Sequence, residues 1–227
     1  MIGGFQKLTL SDYPGNTACI IFTKGCNFNC SYCQNSSLIK INDKDLITED
    51  DIFKYLESRK KLLDGVVISG GEPTIQKNLK ELIIKIKNMG FKVKLDTNGS
   101  NPNLLEELIK EKLLDYVAMD IKNIFSKYEE VINAKVKIDN IKKSIEILKN
   151  SEIDHEFRTT IIKNYHDIPK ILKICKYLGK KEKIYLQNFE DSEYVRNKKL
   201  KSFTREELID IQEKVGRSYS NVIVRGL

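Results

Sequence analysis

Nowhere in its 227 residues does this chain run for 18 uninterrupted apolar positions, so no membrane-spanning helix is expected. Its opening, MIGGFQKLTLSDYPG, lacks the basic segment and apolar run of a secretory signal, so a cytoplasmic location is expected. Arginine is scarce: of 39 basic residues, six are arginine and 33 are lysine. They interleave with Asp and Glu, as in KEKLLD and REELIDIQEK, which reads as solvated helix faces. A nucleic-acid footprint would gather arginine and aromatics on one surface, so the net charge of +7 alone does not point to DNA or RNA. Histidine is limited to His155 and His166. The five cysteines are odd in number and accompany no export signal, which argues against a disulfide framework. No low-complexity linker or internal repeat divides the sequence. Its length suits one α/β domain, residues 1–227, with a sizeable core.

What is present is an alternation. Short runs dense in Val, Ile, Leu or Tyr read as strands buried on both faces: ACIIFT (18–23), GVVISG (65–70), KVKLDT (92–97), YVAMDI (116–121), HEFRTTII (155–162), KIYLQNF (183–189) and NVIVRG (221–226). Between them lie helical patterns with readable ends. Thr48 is placed as an N-cap with Asp51 three residues on. Leu79, Leu82, Ile83 and Ile86 share a helical face that stops at Gly90. Pro102 opens a third helix, and Ile141, Ile145 and Leu148 line a fourth. A fifth ends at Gly179. The last starts at Thr204 with Glu207 in capping-box spacing and ends at Gly216. This β-then-α order, repeated about six times, argues for a parallel sheet, either doubly wound or a barrel.

The strand ends carry polar or glycine-rich segments. They are the cysteine loop after the first strand, Ser69–Pro73 after the second, Asp96–Ser100 after the third and Met119–Lys122 after the fourth. Arg158–Thr160 and Leu186–Asn188 lie on the fifth and sixth. In parallel α/β architectures these ends share one face, where chemistry sits. Each piece alone is also ordinary turn chemistry.

The cysteine loop, GCNFNCSYCQN, places Cys26, Cys30 and Cys33 within eight residues. Thiolates suit zinc or iron–sulfur clusters. Zinc would need a fourth ligand, and both histidines lie more than 120 residues downstream. A ferredoxin-type cluster would use four cysteines. Three cysteines on a four-iron cube leave one iron without a protein ligand, which is what catalysis requires. A structural zinc, or simple packing, is the bland alternative. Cys19 and Cys175 read as buried small hydrophobes.

The Cys-x3-Cys-x2-Cys loop, with Tyr32 before its last cysteine and GGEP after the second strand, resembles the radical S-adenosylmethionine superfamily. The resemblance covers nearly the whole chain. It implies a partial (β/α)6 barrel, here with a C-terminal helix and strand. It implies that Cys26, Cys30 and Cys33 ligate a [4Fe–4S] cluster whose fourth iron takes the amino and carboxylate groups of S-adenosylmethionine. Gly70, Gly71 and Glu72 resemble the segment that receives the methionine amino group, with glycine allowing close backbone approach. Tyr32 is expected to contact the adenine and Asn35 to assist from the same loop.

Finer features resemble the activating enzymes of glycyl-radical enzymes. Ser11-Asp12-Tyr13-Pro14-Gly15 partly matches an element before their first strand, and Asp12 is assigned to partner binding. Asp96-Thr97-Asn98-Gly99 and Asp120-Ile121-Lys122 match the segments after their third and fourth strands. By resemblance Asp96 reaches the ribose hydroxyls, Asp120 the amino group and Lys122 the carboxylate of S-adenosylmethionine. Arg158 joins these cofactor contacts. Asp96, Thr97, Ala118 (through its carbonyl) and Asp120 match a monovalent-cation site. The activases' sixth-strand histidine is not evident, since Gln187 and Asn188 stand there, and no insertion carries extra cysteines.

The compact form most resembles activators of anaerobic, class III ribonucleoside-triphosphate reductase. The implied partners are that glycyl-radical enzyme and a flavodoxin or ferredoxin electron donor. Oxygen sensitivity is expected. The alternatives are a radical enzyme acting on a small molecule or tRNA, and a non-catalytic zinc or iron–sulfur scaffold.

Overall fold

A computed structural model describes residues 1–40 and 46–227. Its elements, in chain order, are β1 (Ile2–Thr9), β2 (Ala18–Thr23), α1 (Glu49–Arg59), β3 (Gly65–Gly70), α2 (Leu79–Asn88), β4 (Lys92–Thr97), α3 (Pro102–Lys110), β5 (Tyr116–Asp120), α4 (Tyr128–Ile132), α5 (Ile138–Lys149), β6 (Asp154–Ile161), α6 (Ile168–Leu178), β7 (Ile184–Asn188), α7 (Arg205–Gly216) and β8 (Val222–Arg225). Every strand and helix expected from the sequence is present. Two elements were not expected: β1, and the single-turn-and-a-half α4.

The described residues form two compact units. The first comprises Met1–Asn27, Ser37–Ala118 and Asp139–Asp154; the second comprises Phe28–Ser36, Met119–Ile138 and His155–Leu227. In the first unit the strand order is β1-β2-β3-β4. β1 runs antiparallel to β2, while β2, β3 and β4 are parallel, with Ile20 opposite Val67 and Val67 opposite Lys94. Val66, Val67 and Ile68 have no exposed surface, as a strand covered on both faces requires. Burial of each such side chain contributes about 1.5–3 kcal/mol. On one face Tyr13, Ala18, Ile20, Val67 and Tyr116 pack together, with Phe22 against them. Burial holds the Tyr13 phenol well above the ordinary tyrosine range.

Local signals fix the helix ends. Thr48 accepts a hydrogen bond from the Asp51 N–H, as its N-cap position demands. Asn101 caps α3 just before Pro102. Chain reversal after α2 uses Gly90 at φ +92°.

The second unit contains the parallel strands β6, β7 and β8, with Arg158 opposite Tyr185 and Gln187 opposite Arg225. The Thr204–Glu207 capping box forms at the start of α7. Cys175 on α6, like Cys19 on β2, is fully buried. Burial pushes both thiols up to about 12, so they behave as inert packing groups. Among the described residues, no helix is long and apolar enough to cross a membrane.

Candidate active site

The first unit builds its polar strand ends around backbone contacts that only glycine permits. Gly70 closes β3 at φ +110°. At Gly71 a Cβ would stand 2.0 Å from the carbonyl oxygen of Gly25, in the cysteine loop. The two segments are tied there by Gly71 N–H to Thr23 O (2.9 Å) and Glu72 N–H to Gly25 O (2.8 Å). The loop's return is fixed by Gly25 N–H to Leu38 O (2.7 Å) and Cys26 N–H to Ile39 O (3.2 Å).

Glu72 follows at once, and its side chain is 1% exposed. One carboxylate oxygen accepts from the Thr74 N–H (3.1 Å), the Thr74 hydroxyl and the Thr97 hydroxyl (2.7 Å); the other accepts from the Asn98 N–H (2.7 Å). The side chain therefore latches the end of β3 to the end of β4. Burial pushes its carboxyl above the usual range, and the hydrogen bonds partly offset that. Asn98 in turn donates to Asn27 (2.9 Å), the residue after Cys26.

Asp96 lies on β4, with Lys94 two residues before it on the same face of the strand. Lys94 Nζ donates to Asp96 Oδ1 at 2.6 Å, and the Ser69 hydroxyl donates to Oδ2 at 3.1 Å. Thr97 is engaged by Glu72, and Ala118 is fully buried on β5.

In the second unit the segment 28–36 is held from several sides. Asn29 N–H reaches Ile132 O in α4 (2.9 Å), and Ser36 donates to Tyr194 O (2.6 Å). The Arg196 guanidinium donates to the carbonyls of Asn29 and Cys30, both at 3.1 Å. Cys33 N–H closes a turn onto Cys30 O (3.2 Å). Burial raises the Cys30 and Cys33 thiols. Lys122 opposes this at both, with Arg196 and the Asn35 N–H adding to it at Cys33. The Tyr32 ring is buried, with Lys122 Nζ 5.9 Å from its centroid.

Asp120 ends β5. Arg158 Nε donates to its Oδ1 (2.9 Å) and Lys122 Nζ to its Oδ2 (3.0 Å). Burial alone would raise this carboxyl, but the Arg158 and Lys122 charges outweigh it and bring it down to about 2. Lys122 is itself fixed through its main chain. Its N–H meets the Tyr128 hydroxyl (3.3 Å), and its carbonyl accepts from His166 Nε2 (3.1 Å). His166 Nδ1 accepts the Ile162 N–H (3.1 Å), which fixes the neutral tautomer. Burial brings its imidazole down to about 4.

The chemistry of these groups fits an iron–sulfur cluster and an amino-acid-bearing cofactor. Cys26, Cys30 and Cys33 are not in disulfides, and the last two lie beside protein cations that favour thiolate. The Gly70–Gly71 turn packs main chain against main chain, and a Cβ at either position would meet the backbone of Thr23 or Gly25. Sequence reasoning missed Lys94, Arg196 and His166. Only Lys94 left a signal, a charge set between the apolar Val93 and Leu95.

Comparison with known proteins agrees. The family model of the Radical SAM superfamily matches residues 20–175. A protein of Methanocaldococcus jannaschii, provisionally named a glycyl-radical enzyme activating enzyme, is 35% identical over 99% of this chain and 95% of its own. The pyruvate formate-lyase-activating enzyme of Clostridium pasteurianum is 30% identical over 82% of this chain and 80% of its own. Among solved structures, Streptococcus suis SuiB bound to S-adenosylmethionine shares the fold, with a TM-score of 0.73 at 19% identity. That match covers 91% of this chain and 50% of SuiB. The chain thus belongs to the radical S-adenosylmethionine superfamily, as an enzyme with that family's partial-barrel fold, [4Fe–4S] cluster and S-adenosylmethionine.

Proposed function

We propose that this enzyme is a glycyl-radical enzyme activase, acting on a protein like the anaerobic ribonucleoside-triphosphate reductase. The observation that carries this reading is the match, along almost the full length of both chains, to an archaeal relative named for that activity. When bound, the cluster would supply the one electron for reductive cleavage of S-adenosylmethionine to methionine and a 5′-deoxyadenosyl radical, which would take a hydrogen atom from a glycine of the partner. The electron comes from a flavodoxin or ferredoxin.

The protein's part is to bind, orient and exclude water. Cys26, Cys30 and Cys33 hold the cluster. The Gly70–Gly71 backbone receives the methionine amino group, aided by Asp120, and Lys122 receives the carboxylate. Arg158 aligns Asp120 through its 2.9 Å bond. Asp96 accepts from the ribose hydroxyls. Glu72 acts through the backbone it latches, because its oxygens already accept four hydrogen bonds. Tyr32 meets the adenine through its main chain, because its ring is buried. Asn35 supports the loop through its N–H to Cys33.

The resemblance assigns a monovalent cation to Asp96, Thr97, the Ala118 carbonyl and Asp120. Both carboxylates already hold protein cations, so the metal competes with them. Asp12 is exposed beside Leu10, which is 73% exposed, and this edge meets the partner.

The test is anaerobic incubation of reduced, reconstituted enzyme with S-adenosylmethionine and the partner reductase. A glycyl radical seen by paramagnetic resonance is the expected result. Cleavage of S-adenosylmethionine with no radical on any glycyl-radical protein, and turnover of a small molecule instead, overturns the reading.

A further inference from the structure

Stretches such as KEKLLD and REELIDIQEK interleave base with acid, but residues 196–201, RNKKLK, hold four basic residues and no acid. A basic run is usually a solvated face. This one is fastened in place within the second unit. Val195 and Leu200 are buried. Lys199 N–H donates to Asn197 Oδ1 (3.1 Å) and Lys201 N–H to Asn164 Oδ1 (2.8 Å), while Lys201 O accepts the Lys163 N–H (3.0 Å). The same strap is bonded along the cysteine loop. Gln34 Nε2 donates to Glu190 O (3.2 Å), the Ser36 hydroxyl to Tyr194 O (2.6 Å) and Asn197 N–H to Ser31 O (3.2 Å), beside the two Arg196 bonds described above. Residues 190–201 therefore lie fixed against the main chain that carries Cys30 and Cys33.

Glu190, Asp191 and Glu193 stand in the first half of this strap, and Lys198 pairs with Asp191 (3.1 Å). Three cations of the second half stay open to solvent. Lys199 and Lys201 are exposed, and their ammonium groups have no partner among the described residues. Arg196 is exposed too, and both its bonds leave from Nη2, so the donors on Nε and Nη1 remain. Lys199 and Lys201 stand three and five residues beyond Arg196, at most about 11 and 18 Å of main chain away. Fixed charge of one sign speeds the encounter with an oppositely charged protein and acts on rate more than on tightness. That suits an electron carrier, which meets its acceptor over a small interface and must leave after each transfer. Electron tunnelling falls steeply with distance, so a carrier has to dock close to the loop that holds the redox centre.

We propose that Arg196, Lys199 and Lys201 form the docking surface for the electron donor, a small carrier protein with acidic residues around its redox group. The inference rests on the reading above that a flavodoxin or ferredoxin supplies the electron. One electron passes from the reduced carrier, which is oxidised, to the cluster, which is reduced. No bond forms or breaks in that transfer.

The experiment uses the full chain, cluster-reconstituted and anaerobic. Stopped flow follows the cluster's visible absorption as reduced flavodoxin or reduced ferredoxin is mixed in, with photoreduced deazariboflavin as an uncharged small-molecule reductant. Lys199→Glu with Lys201→Glu should slow reduction by the carrier about 10-fold or more at low salt, and by less than about twofold near about 0.5 M salt. Binding of the oxidised carrier, titrated by calorimetry at low salt, should weaken in step. Reduction by deazariboflavin should not change. Arg196 is left in place because it also holds the loop. Lys173→Glu with Lys176→Glu makes the same change of charge at exposed positions of α6 and should stay within about twofold of the unaltered enzyme.

Thermal melts and cluster absorption report whether each variant is folded and loaded. If the double reversal does not fold, Lys199→Gln with Lys201→Gln, which only removes charge, carries the test with an expected slowing of about three- to 10-fold. No slowing in the strap variant, or equal slowing in the α6 variant, overturns the proposal and leaves the electron-donor reading standing. So does loss of the glycyl radical in the strap variant when deazariboflavin supplies the electron, since the surface then belongs to the radical-bearing partner. If neither carrier reduces the unaltered enzyme, the electron-donor reading falls and the proposal falls with it.

Discussion

Glu72, just past β3, and Asp120, at the end of β5, are carboxylates of similar placement held by opposite means. Glu72 is sealed from solvent, and its partners are two hydroxyls and two backbone N–H groups. Its carboxyl lies above the usual range because burial outweighs those neutral donors. Asp120 keeps 31% of its side chain exposed and is held by an arginine and a lysine, which bring it down to about 2. A carboxylate ringed by neutral donors works as a structural fastener. One gripped by two cations, with a face still open, stays charged and can receive a ligand. The difference suits Glu72 to building the local fold and Asp120 to receiving a ligand.

The largest test of this contrast is Glu72→Ala. Four donors lose their acceptor, so stability should fall by about 4 kcal/mol, read from urea unfolding under anaerobic conditions. An unchanged midpoint would break the contrast at its strongest point.

His166 extends the comparison to pH, since it is also buried among neutral partners. Its folded value near 4 lies below the ordinary 6.5, so the unfolded chain takes up the proton first. Stability is therefore full at neutral pH and is lost as pH falls from about 6.5 to 4, by about 3 kcal/mol in total. Asp120 adds a separate loss only below the ordinary carboxylate value, as pH falls toward 2. Unfolding curves at stepped pH should show the upper component in the unaltered protein and not in His166→Gln.

Asp120→Asn should show the reverse of Glu72→Ala. Affinity for S-adenosylmethionine should weaken about 10- to 100-fold, with a smaller loss of stability than at Glu72. Equilibrium dialysis and a melting curve on the same preparation decide between the two roles. The smallest effect is expected from the solvent. Replacing potassium chloride with choline chloride should change the S-adenosylmethionine cleavage rate by less than about twofold, because Lys94, Lys122 and Arg158 already balance the two aspartates. A large potassium dependence would show that protein cations do not suffice.

Much of this was legible in the chain before any coordinates. The strands with unbroken Val/Ile runs and the helices with caps were placed correctly, because burial on both faces and local capping leave strong periodic signals. β1 was not, since IGGFQKLT carries two glycines and alternates weakly, and its pairing with β2 is a tertiary choice. The cysteine spacing and strand-end motifs singled out the candidate site residues. They could not show that Glu72 faces inward, that Tyr32 buries its ring or that His166 holds the Lys122 carbonyl. Those outcomes depend on partners dozens of positions away, at separations no local pattern encodes. Arg196 sits in an unremarkable basic stretch, VRNKKL, and its hold on the cysteine loop exists only in three dimensions.

The approach of Gly71 to Gly25 has a consequence for mutational tolerance. The cysteine loop meets the rest of the first unit main chain to main chain there, with less room than one methyl group. In a saturation library, position 71 should therefore accept nothing but glycine, whatever chemistry the replacement offers. Surface positions on the same loop should drift freely. Anyone transplanting the Gly25–Cys26 end of the loop onto another scaffold would have to carry this close approach along with it, since no side chain fits between the two main chains.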